Sequence, residues 1–355
     1  MTDFKLHTDA DAPEENSELF EHFRIVADKG QSMLRVDKFL QNRIENVSRS
    51  RIQQSAKAGN IFVNDVMVKA NYKVKPNDIV TVVFSFPPRE IEITPEDIPL
   101  EIVYEDADLL VLNKQHSLVV HPGHGNYSGT LLNALANHFA KSGKKEVEND
   151  FGYLVHRIDK DTTGLMIVAK NELAQTVLAR QFFEHTIERR YQALAWGDPP
   201  TDEGRIEGHI GRSLKDRKVM GVFPDGSHGK EAVTHYKVLR RYGYVTLVEC
   251  KLETGRTHQI RAHFRHIGHP LFNDAWYGGD SIIKGTTFTK YKQFIENCFA
   301  IMPRHALHAK SLGFVHPITG VMMHFDSTLP QDMLQLLEKW EKYTHSRVEI
   351  ASEEV

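Results

Sequence analysis

Cysteine is scarce in this chain, whose 355 residues include only Cys250 and Cys298, far apart in the sequence. Two distant cysteines exclude a disulfide framework and a cysteine-rich zinc site. No apolar run reaches the roughly 18 residues that a membrane-spanning helix needs. The N-terminus has no basic segment followed by an apolar stretch, so no secretion signal is expected. A reducing cytoplasm is the compartment that fits these absences.

The signatures of several enzyme classes are also missing. The sequence contains no Gly-x-Ser-x-Gly, no Gly-x-x-x-x-Gly-Lys-Ser/Thr phosphate loop and no His-Glu-x-x-His. Chemistry without a cofactor or a metal is therefore favoured by elimination. A metal-dependent hydrolase stays open as a rival, although no group of histidines has the spacing of a known ligand set. Histidines cluster in one C-terminal region: His258, His263, His266, His269, His305 and His308.

The net charge of −3 conceals an uneven distribution of charge along the chain. Residues 1–29 hold eight acidic and three basic side chains, whereas residues 31–84 hold nine basic and four acidic ones. Such asymmetry indicates more about partners than the total does, and a basic segment attracts phosphate. We expect residues 1–21 to form an acidic, disordered tail and residues 22–84 to form a small basic domain.

The basic segment has the pattern of two short helices followed by strands. Apolar residues from Val36 to Ile44 recur at helical spacing, and Gly59 would end a second helix that starts after Ser48. Asn64-Asp65 separates two short β-prone runs and predicts a hairpin. A last strand is predicted from Ile79 to Phe84.

This segment resembles the small RNA-binding domain shared with a ribosomal small-subunit protein. The likeness rests on Arg35-Val36-Asp37-Lys38-Phe39-Leu40, with Val36 where Leu is usual, on Ser-Arg-Ser-x-Ile after Val47, and on residues 59–64. It implies a small α/β domain that contacts RNA phosphates and positions RNA without reading its sequence. The bases expected to do so lie on the second helix: Arg49, Arg51 and Lys57.

Four prolines between residues 85 and 100 predict a semi-extended linker. A large domain is expected over residues 101–345, with a short tail at 346–355. Its predicted elements include paired strands around residues 105–108, a helix from Leu131 to Phe139, and an amphipathic helix after Pro330.

Residues 156–170 are the most informative stretch. Asp159 lies between the basic pair His156-Arg157 and a Gly turn, and the apolar run Leu165 to Ala169 predicts a buried strand. A carboxylate on the loop entering such a strand is held rigidly yet can face a cleft, which suits catalysis. The simpler alternative is that Asp159 caps a turn.

Two further stretches carry candidate site residues. Tyr191 lies on a predicted strand near basic residues, where it could stack on a base, move a proton, or simply fill the core. In residues 253–263, Arg256, His258 and Arg261 follow a Gly turn. If Ile260 faces the core, Arg261 projects the other way on an extended segment and could pair with Asp159. A structural ion pair would look the same.

A third stretch, residues 212–220, is predicted to be a basic loop beside glycines that contacts phosphate as a flap. Its bases include Arg212, Arg217 and Lys218. A solvated charged loop is the alternative.

These stretches together resemble the pseudouridine synthases of the RluA/RluD type, over about residues 22–325. The likeness rests on the stretches 156–159, 163–165, 189–191 and 255–261, and on Asn113-Lys114, Val120-His121-Pro122-Gly123, Leu307-His308-Ala309 and His316-Pro317. Two departures occur: Gln115-His116-Ser117 stands where the family has Pro-x-Gly, and Arg189 stands where Lys is common.

The resemblance implies an α+β fold with a mixed, mostly antiparallel central sheet, flanking helices and a catalytic cleft. It implies that Asp159 is the catalytic aspartate, that Tyr191 packs on the target base, and that Arg261 pairs with the aspartate. Arg157 would enter the RNA as the target uridine flips out. Asp159 would either attack the ribose or remove a ribose proton, and no cofactor is implied.

We therefore expect an enzyme that isomerises uridines in large-subunit ribosomal RNA and acts as a monomer. His156, Arg256 and His258 are further expected RNA contacts. Transfer RNA is an alternative substrate, and a non-catalytic RNA-binding ribosome-assembly factor is an alternative function. The trio of Asp159, Tyr191 and Arg261 disfavours the latter, since binding alone needs no such set.

Overall fold

The computed structural model describes residues 20–44, 47–84, 93–122, 126–142, 152–216 and 219–353. The chain divides into two compact units, Met1–Ile91 and Glu92–Val355. Within the described ranges, no helix is long and apolar enough to cross a membrane.

The small unit is a four-stranded antiparallel sheet with two helices and a separate pair of short strands. The sheet has the order β1-β6-β3-β4, and β2 pairs with β5. Asn64 and Asp65 have φ angles of 49° and 64°, which is the two-residue turn that matches strand twist, and the predicted hairpin is confirmed. The elements are β1 (Phe20–Val26), β2 (Leu34–Arg35), α1 (Val36–Gln41), α2 (Arg49–Lys57), β3 (Ile61–Val63), β4 (Val66–Met67), β5 (Lys73–Val74) and β6 (Ile79–Phe84).

A buried carboxylate ties the two helices of the small unit together. Asp37 is fully buried and accepts hydrogen bonds from Arg35, Arg49 and Gln53. Burial alone would raise the pKa of Asp37, but these hydrogen bonds outweigh it and lower the pKa to about 2. The Nε of Arg49 lies 3.0 Å from Asp37 Oδ2, and this contact holds Arg49 on the surface of α2.

The large unit is built on one eleven-stranded sheet with the order β13-β12-β14-β15-β11-β16-β10-β8-β7, while β17 pairs with β16 and β9 with β10. Only β10 and β16 pair in parallel among the described strands, so the predicted mixed, mostly antiparallel sheet is confirmed. The strands are β7 (Glu101–Glu105), β8 (Leu109–Lys114), β9 (Tyr153–Leu154), β10 (Thr163–Ala169), β11 (Glu188–Trp196), β12 (Glu203–Arg212), β13 (Met220–Phe223), β14 (Lys230–Arg241), β15 (Val245–Leu252), β16 (Leu307–Val315) and β17 (Met322–Asp326).

In the described part of this unit, five helices cover the sheet, and strand β10 is buried along all of its length, as its apolar run predicts. One core cluster joins residues of α3 and α5 to the sheet, a second contains α6 and α7, and a third contains α4. The helices are α3 (Leu131–Ser142), α4 (Glu172–Phe183), α5 (Gln259–His266), α6 (Thr289–Ile301) and α7 (Gln331–Glu353).

Parts of two segments that the sequence predicts to be a linker and a tail belong to the folded large unit. In the predicted linker, Ile93, Ile98 and Leu100 pack against the main core, and Asn133 of α3 donates to the carbonyl of Thr94 at 2.9 Å. Their apolar side chains favour burial over an extended, solvated state. Helix α7 continues through Glu353, into the segment predicted to be a tail.

Strands β10 and β16 lie close together at Gly164, which pairs with Ala309. Its φ angle is +116°, and a Cβ there would lie 2.2 Å from the carbonyl oxygen of Ala309. Both the left-handed backbone and the close approach exclude a side chain. Gly164 therefore sets the spacing between β10 and β16. Strand β10 directly follows the Asp159 loop, and β16 flanks it.

We expect Gly164→Ala to lower the free energy of unfolding by roughly 3 kcal/mol or more, because backbone strain adds to a steric clash. Gly243→Ala is the matched control, since Gly243 also has a positive φ angle of +81° but open space around it. Its cost should be about 1 kcal/mol. Chemical denaturation of both variants measures the difference, and equal losses would contradict the role given to the close approach.

Candidate active site

The loop between β9 and β10 presents Asp159 to a cavity. Ile158 is 6% exposed and anchors the loop in the core, while its neighbours face outward. The backbone N–H of Thr162 donates to the carbonyl of Asp159 at 3.1 Å and closes the turn. The Asp159 side chain keeps 19% of its surface exposed, enough to reach a bound molecule from a rigid loop.

Arg261 joins Asp159 to a second, fully buried carboxylate. Its NH1 donates to Asp159 Oδ2 at 2.9 Å. Its Nε and NH2 donate to the two oxygens of Asp274 at 2.7 and 2.8 Å, a bidentate pair that fixes the guanidinium plane. Burial alone would lower the pKa of Arg261, but its bonds to Asp274 and Asp159 raise it further above its ordinary value. The cation is therefore permanent.

Arg261 lies on helix α5, so the predicted extended segment is wrong. The helix begins after His258, whose left-handed φ angle of 53° ends the preceding turn. Ile260 and Phe264, four residues apart, are both buried and carry the helical period. Gln259 anchors this turn with side-chain bonds to Val233, Thr234, Thr254 and Arg256.

A hydrogen-bond chain fixes His258 beside the carboxylate. The Tyr277 hydroxyl accepts the N–H of Met220 at 2.9 Å and forms a hydrogen bond of 3.0 Å with His258 Nδ1. Burial lowers the pKa of His258, which favours the neutral ring. Nε2 is 3.7 Å from Asp159 Oδ1, too far for a hydrogen bond. Burial raises the pKa of Tyr277 to about 12, which keeps its proton in place.

Alternation along β11 places Tyr191 in the same cavity. The pairing of β11 with β16 shifts register between Arg190 and Tyr191, but the extra residue lies on β16, so the side chains of β11 keep their regular alternation. Tyr191 is 8% exposed, and that exposed part faces the cavity. Burial raises the pKa of Tyr191, so the hydroxyl stays protonated.

Lys114 holds the Asp159 loop in place through hydrogen bonds to backbone carbonyls. Its Nζ donates to the carbonyls of Gln115, Leu118 and Lys160 at 2.8, 3.0 and 2.9 Å. Burial lowers the pKa of Lys114 to about 7, against the attraction of neighbouring carboxylates. Three carbonyl acceptors match the three donors of the ammonium form.

The turn after Lys114 has an unusual backbone at Ser117, which stands where the RluA/RluD-type synthases have Gly. Ser117 takes a left-handed φ angle of 61°, which Gly would adopt more easily.

Asp159, Arg261, His258 and Tyr191 line a cavity of about 540 Å³, within the range of small-ligand sites. Basic groups surround it, and a carboxylate held by a permanent cation lies in its wall. Such an arrangement can deliver a carboxylate to an electrophilic carbon, or remove a proton. The lining includes Arg157, Asp159, Phe182, Arg189, Tyr191, Arg256, His258 and Arg261.

The sequence matches the profile of the RNA pseudouridylate synthase family over residues 108–266 and the S4 domain profile over residues 34–80. An uncharacterized RNA pseudouridine synthase of Chlorobaculum parvum is 44% identical over 313 residues, which cover 88% of this chain and 95% of that protein. The chain belongs to the RNA pseudouridine synthase family. It is an isomerase that converts uridine in RNA to pseudouridine, as the sequence resemblance predicts.

Two more comparisons place this synthase among its relatives. Ribosomal large subunit pseudouridine synthase D of Vibrio vulnificus is 41% identical over 305 residues, which cover 86% of this chain and 90% of that protein. The solved structure of human RNA pseudouridylate synthase domain containing 4 has a TM-score of 0.55 at 24% identity and covers 68% of this chain and 93% of its own. The latter shows the fold alone, and the predicted fold class is confirmed.

The structure brings most of the predicted site residues of this synthase into one place. Asp159, Tyr191 and Arg261 share the cavity with Arg157, which is exposed, and with Arg256, whose Nε donates to the Glu231 carbonyl at 2.9 Å. His156 also lines it, but its Nε2 accepts the N–H of Ile167 at 3.0 Å and its ring stacks on Phe182.

The remaining predicted RNA contacts lie elsewhere. Arg212 is exposed at the end of β12 and does not line the cavity, and Arg217 and Lys218 fall outside the described residues. Arg49 and Lys57 lie on α2 of the small unit, and the side chain of Arg51 on the same helix is outside the described part.

The histidine-rich region forms no group with metal-ligand spacing in the described part of the chain. His263 bonds to Thr234, His305 to Thr162, and His308 to Thr163 and Ser327. The described residues with suitable spacing are Asp106, Asp108 and His316, which lie outside the cavity lining. Asp106 accepts the N–H of Asp108 within one turn, and His316 forms a hydrogen bond with Asp106.

Sequence reasoning missed Asp274 and Tyr277. Asp274 is 13 residues from Arg261, beyond helical reach, and follows buried Leu271 and Phe272. The one available signal was an acidic residue two positions after an apolar pair, which predicts a buried partner for some cation.

We expect Asp274→Asn to lower the single-turnover rate of pseudouridine formation by about 100-fold, because Arg261 would lose the charge that orients it. Affinity for RNA should change little, since Asp274 is fully buried. Asp202→Asn is the control, because Asp202 is 84% exposed and also pairs with an arginine, Arg241. Rates within twofold of wild type in both variants would contradict the orienting role.

Proposed function

We propose that this synthase isomerises specific uridines of large-subunit ribosomal RNA, with Asp159 as the catalytic carboxylate. The observation that carries the proposal is the Asp159–Arg261 contact of 2.9 Å inside this cavity. The ribosomal substrate is supported by relatives named ribosomal large subunit pseudouridine synthase D, which are 40–42% identical to this chain.

In the proposed mechanism, the target uridine leaves the RNA stack and enters the cavity, since its reacting atoms are otherwise inaccessible. Arg157, exposed at the cavity, takes the space that the base leaves. Tyr191 packs on the uracil as a protonated phenol. Asp159 then acts at the ribose, either as a nucleophile at C1′ or as a base that gives a glycal, while the hydrogen bond from Arg261 holds it in one rotamer.

The small unit supplies affinity rather than chemistry in this account. Its helix α2 carries Arg49 and Lys57, and Asp37 holds Arg49 against the helix. Such bases contact phosphates without reading sequence, so the unit would dock structured RNA. The proposed organisation starts from the predicted tail at 1–21, this unit at 22–84 and a catalytic domain over 101–345, with the unit beginning at Phe20 of β1 and the catalytic domain extended back to Ile93 and forward through helix α7. The cytoplasm and a monomeric state are part of the same proposal.

We expect Asp159→Asn to reduce pseudouridine formation by about a thousandfold or more, because the amide can neither attack C1′ nor accept a proton. Binding of the RNA, measured by filter retention, should stay within threefold of wild type. Asp97→Asn, at a carboxylate that is 82% exposed, is the matched control. The substrate is an unmodified transcript of large-subunit ribosomal RNA, with unmodified transfer RNA in parallel.

Turnover by the Asp159→Asn variant would overturn the assigned role. Product on transfer RNA alone would keep the reaction and replace the substrate. Binding without product by the wild-type protein would favour the assembly-factor alternative.

A further inference from the structure

Arg189 is a buried cation in the cavity wall that lacks an anionic partner. Only 8% of the residue is exposed, and its Nε has no hydrogen-bond partner among the described residues. Within the same part of the chain, no carboxylate lies at ion-pair distance from it. Arg261, the other buried arginine of this cavity, has two such carboxylates. Because an arginine keeps its charge in proteins, an unpaired one is costly to bury.

The surroundings hold the Arg189 guanidinium at the cavity rather than in the core. It lies over the ring of Phe182, with 5.3 Å from Cζ to the ring centroid. On the other side, a Cβ on Gly255 would come within 2.7 Å of its NH1, so the guanidinium packs directly against the backbone of Gly255 in its present position. Phe182, Gly255 and Arg189 all line the cavity. A cation held in this way can meet an anion that arrives with the substrate.

Strand geometry places Arg189 on the same face of β11 as Tyr191. Residues two apart on a strand point to one face, and both of these line the cavity with Asp159. Arg190, between them, points the other way and pairs with Glu249 at 2.6 Å. Arg189 therefore lies beside the tyrosine that packs on the target base in the proposed function, on which this inference rests.

We propose that Arg189 is a further catalytic residue, whose guanidinium contacts the uracil ring and stabilises the negative charge that the ring carries while it is detached from the ribose. When the C1′–N1 bond breaks, its electron pair goes to N1 and spreads to the ring carbonyl oxygens. The C5–C1′ bond then forms, C5 loses its proton, and N1 takes one up. The isomerisation is thereby balanced without an oxidant or a co-reactant.

A phosphodiester of the bound RNA is the other possible source of negative charge. Base flipping brings the uracil into the cavity, whereas the strongly hydrated backbone stays at its rim. Arg157 at the cavity is exposed and suits a phosphate, while Arg189 is buried. Burial also makes a fixed donor more effective at a developing charge, because a preorganised donor need not reorient as the charge forms. The uracil is therefore the favoured partner.

The test compares two leaving groups. Wild type, Arg189→Gln, Arg189→Lys and the neighbouring control Arg190→Gln are assayed in single turnover on the RNA that the wild-type enzyme modifies. The RNA is transcribed with uridine or with 5-fluorouridine. Loss of the target nucleoside is followed by liquid chromatography of the digested RNA, because uridine and pseudouridine have the same mass. Fluorine stabilises the detached ring anion, so it should lessen the need for Arg189.

We expect Arg189→Gln to slow the uridine reaction by about 100-fold, as loss of one preorganised donor does, and the 5-fluorouridine reaction by about tenfold or less. RNA affinity should stay within threefold. Arg189→Lys should retain part of the rate because the charge remains, which also guards against a folding defect in the glutamine variant. Arg190→Gln should match wild type on both RNAs.

Two results would overturn the inference. A weaker RNA affinity, with equal rate losses on both RNAs, would assign Arg189 to a phosphate instead. Wild-type rates for Arg189→Gln would show that it contacts no reacting group. Because the assay uses whichever RNA is modified, a failure of the proposed ribosomal substrate would be visible separately, as product on transfer RNA by the wild-type enzyme.

Discussion

The chain of charges Asp274–Arg261–Asp159 is the interaction on which the site depends. Each contact in it is 2.9 Å or shorter, and the middle and inner groups are almost fully buried. A buried arginine between two carboxylates has one orientation in which each of its three nitrogens donates a hydrogen bond to them. Asp159 is therefore held in place by the core of the enzyme, although it lies on a loop.

The rest of the large unit holds the two ends of this chain. Gly164 lets β10 lie against β16, and the loop before β10 carries Asp159. Gln259 ties the start of helix α5 to β14, and the helix carries Arg261. Lys114 binds the Lys160 carbonyl, next to Asp159, from strand β8. Strands from distant parts of the sequence thus converge on one carboxylate, so the large sheet acts to position a single catalytic group.

Local patterns in the sequence predicted local structure well. The apolar run Leu165 to Ala169 predicted a fully buried strand, and Asn64-Asp65 predicted its hairpin, because both signals depend on neighbouring residues. The family resemblance predicted the fold and the reaction from motifs that no single pattern explains. Helix α5 was misassigned because its eight residues carry four basic or histidine side chains that conceal the Ile260–Phe264 period.

Contacts between distant residues could not be predicted in this way. The contact of Asp274 with Arg261 and the unpaired state of Arg189 follow from packing across the sheet, which no spacing in the sequence encodes.

The most direct test of the central claim is nucleotide-resolution mapping of pseudouridine in cells that lack the gene and carry either wild-type enzyme or Asp159→Asn. The account predicts that defined pseudouridines of large-subunit ribosomal RNA return with wild type alone. Their return with both proteins, or their presence without either, would contradict it.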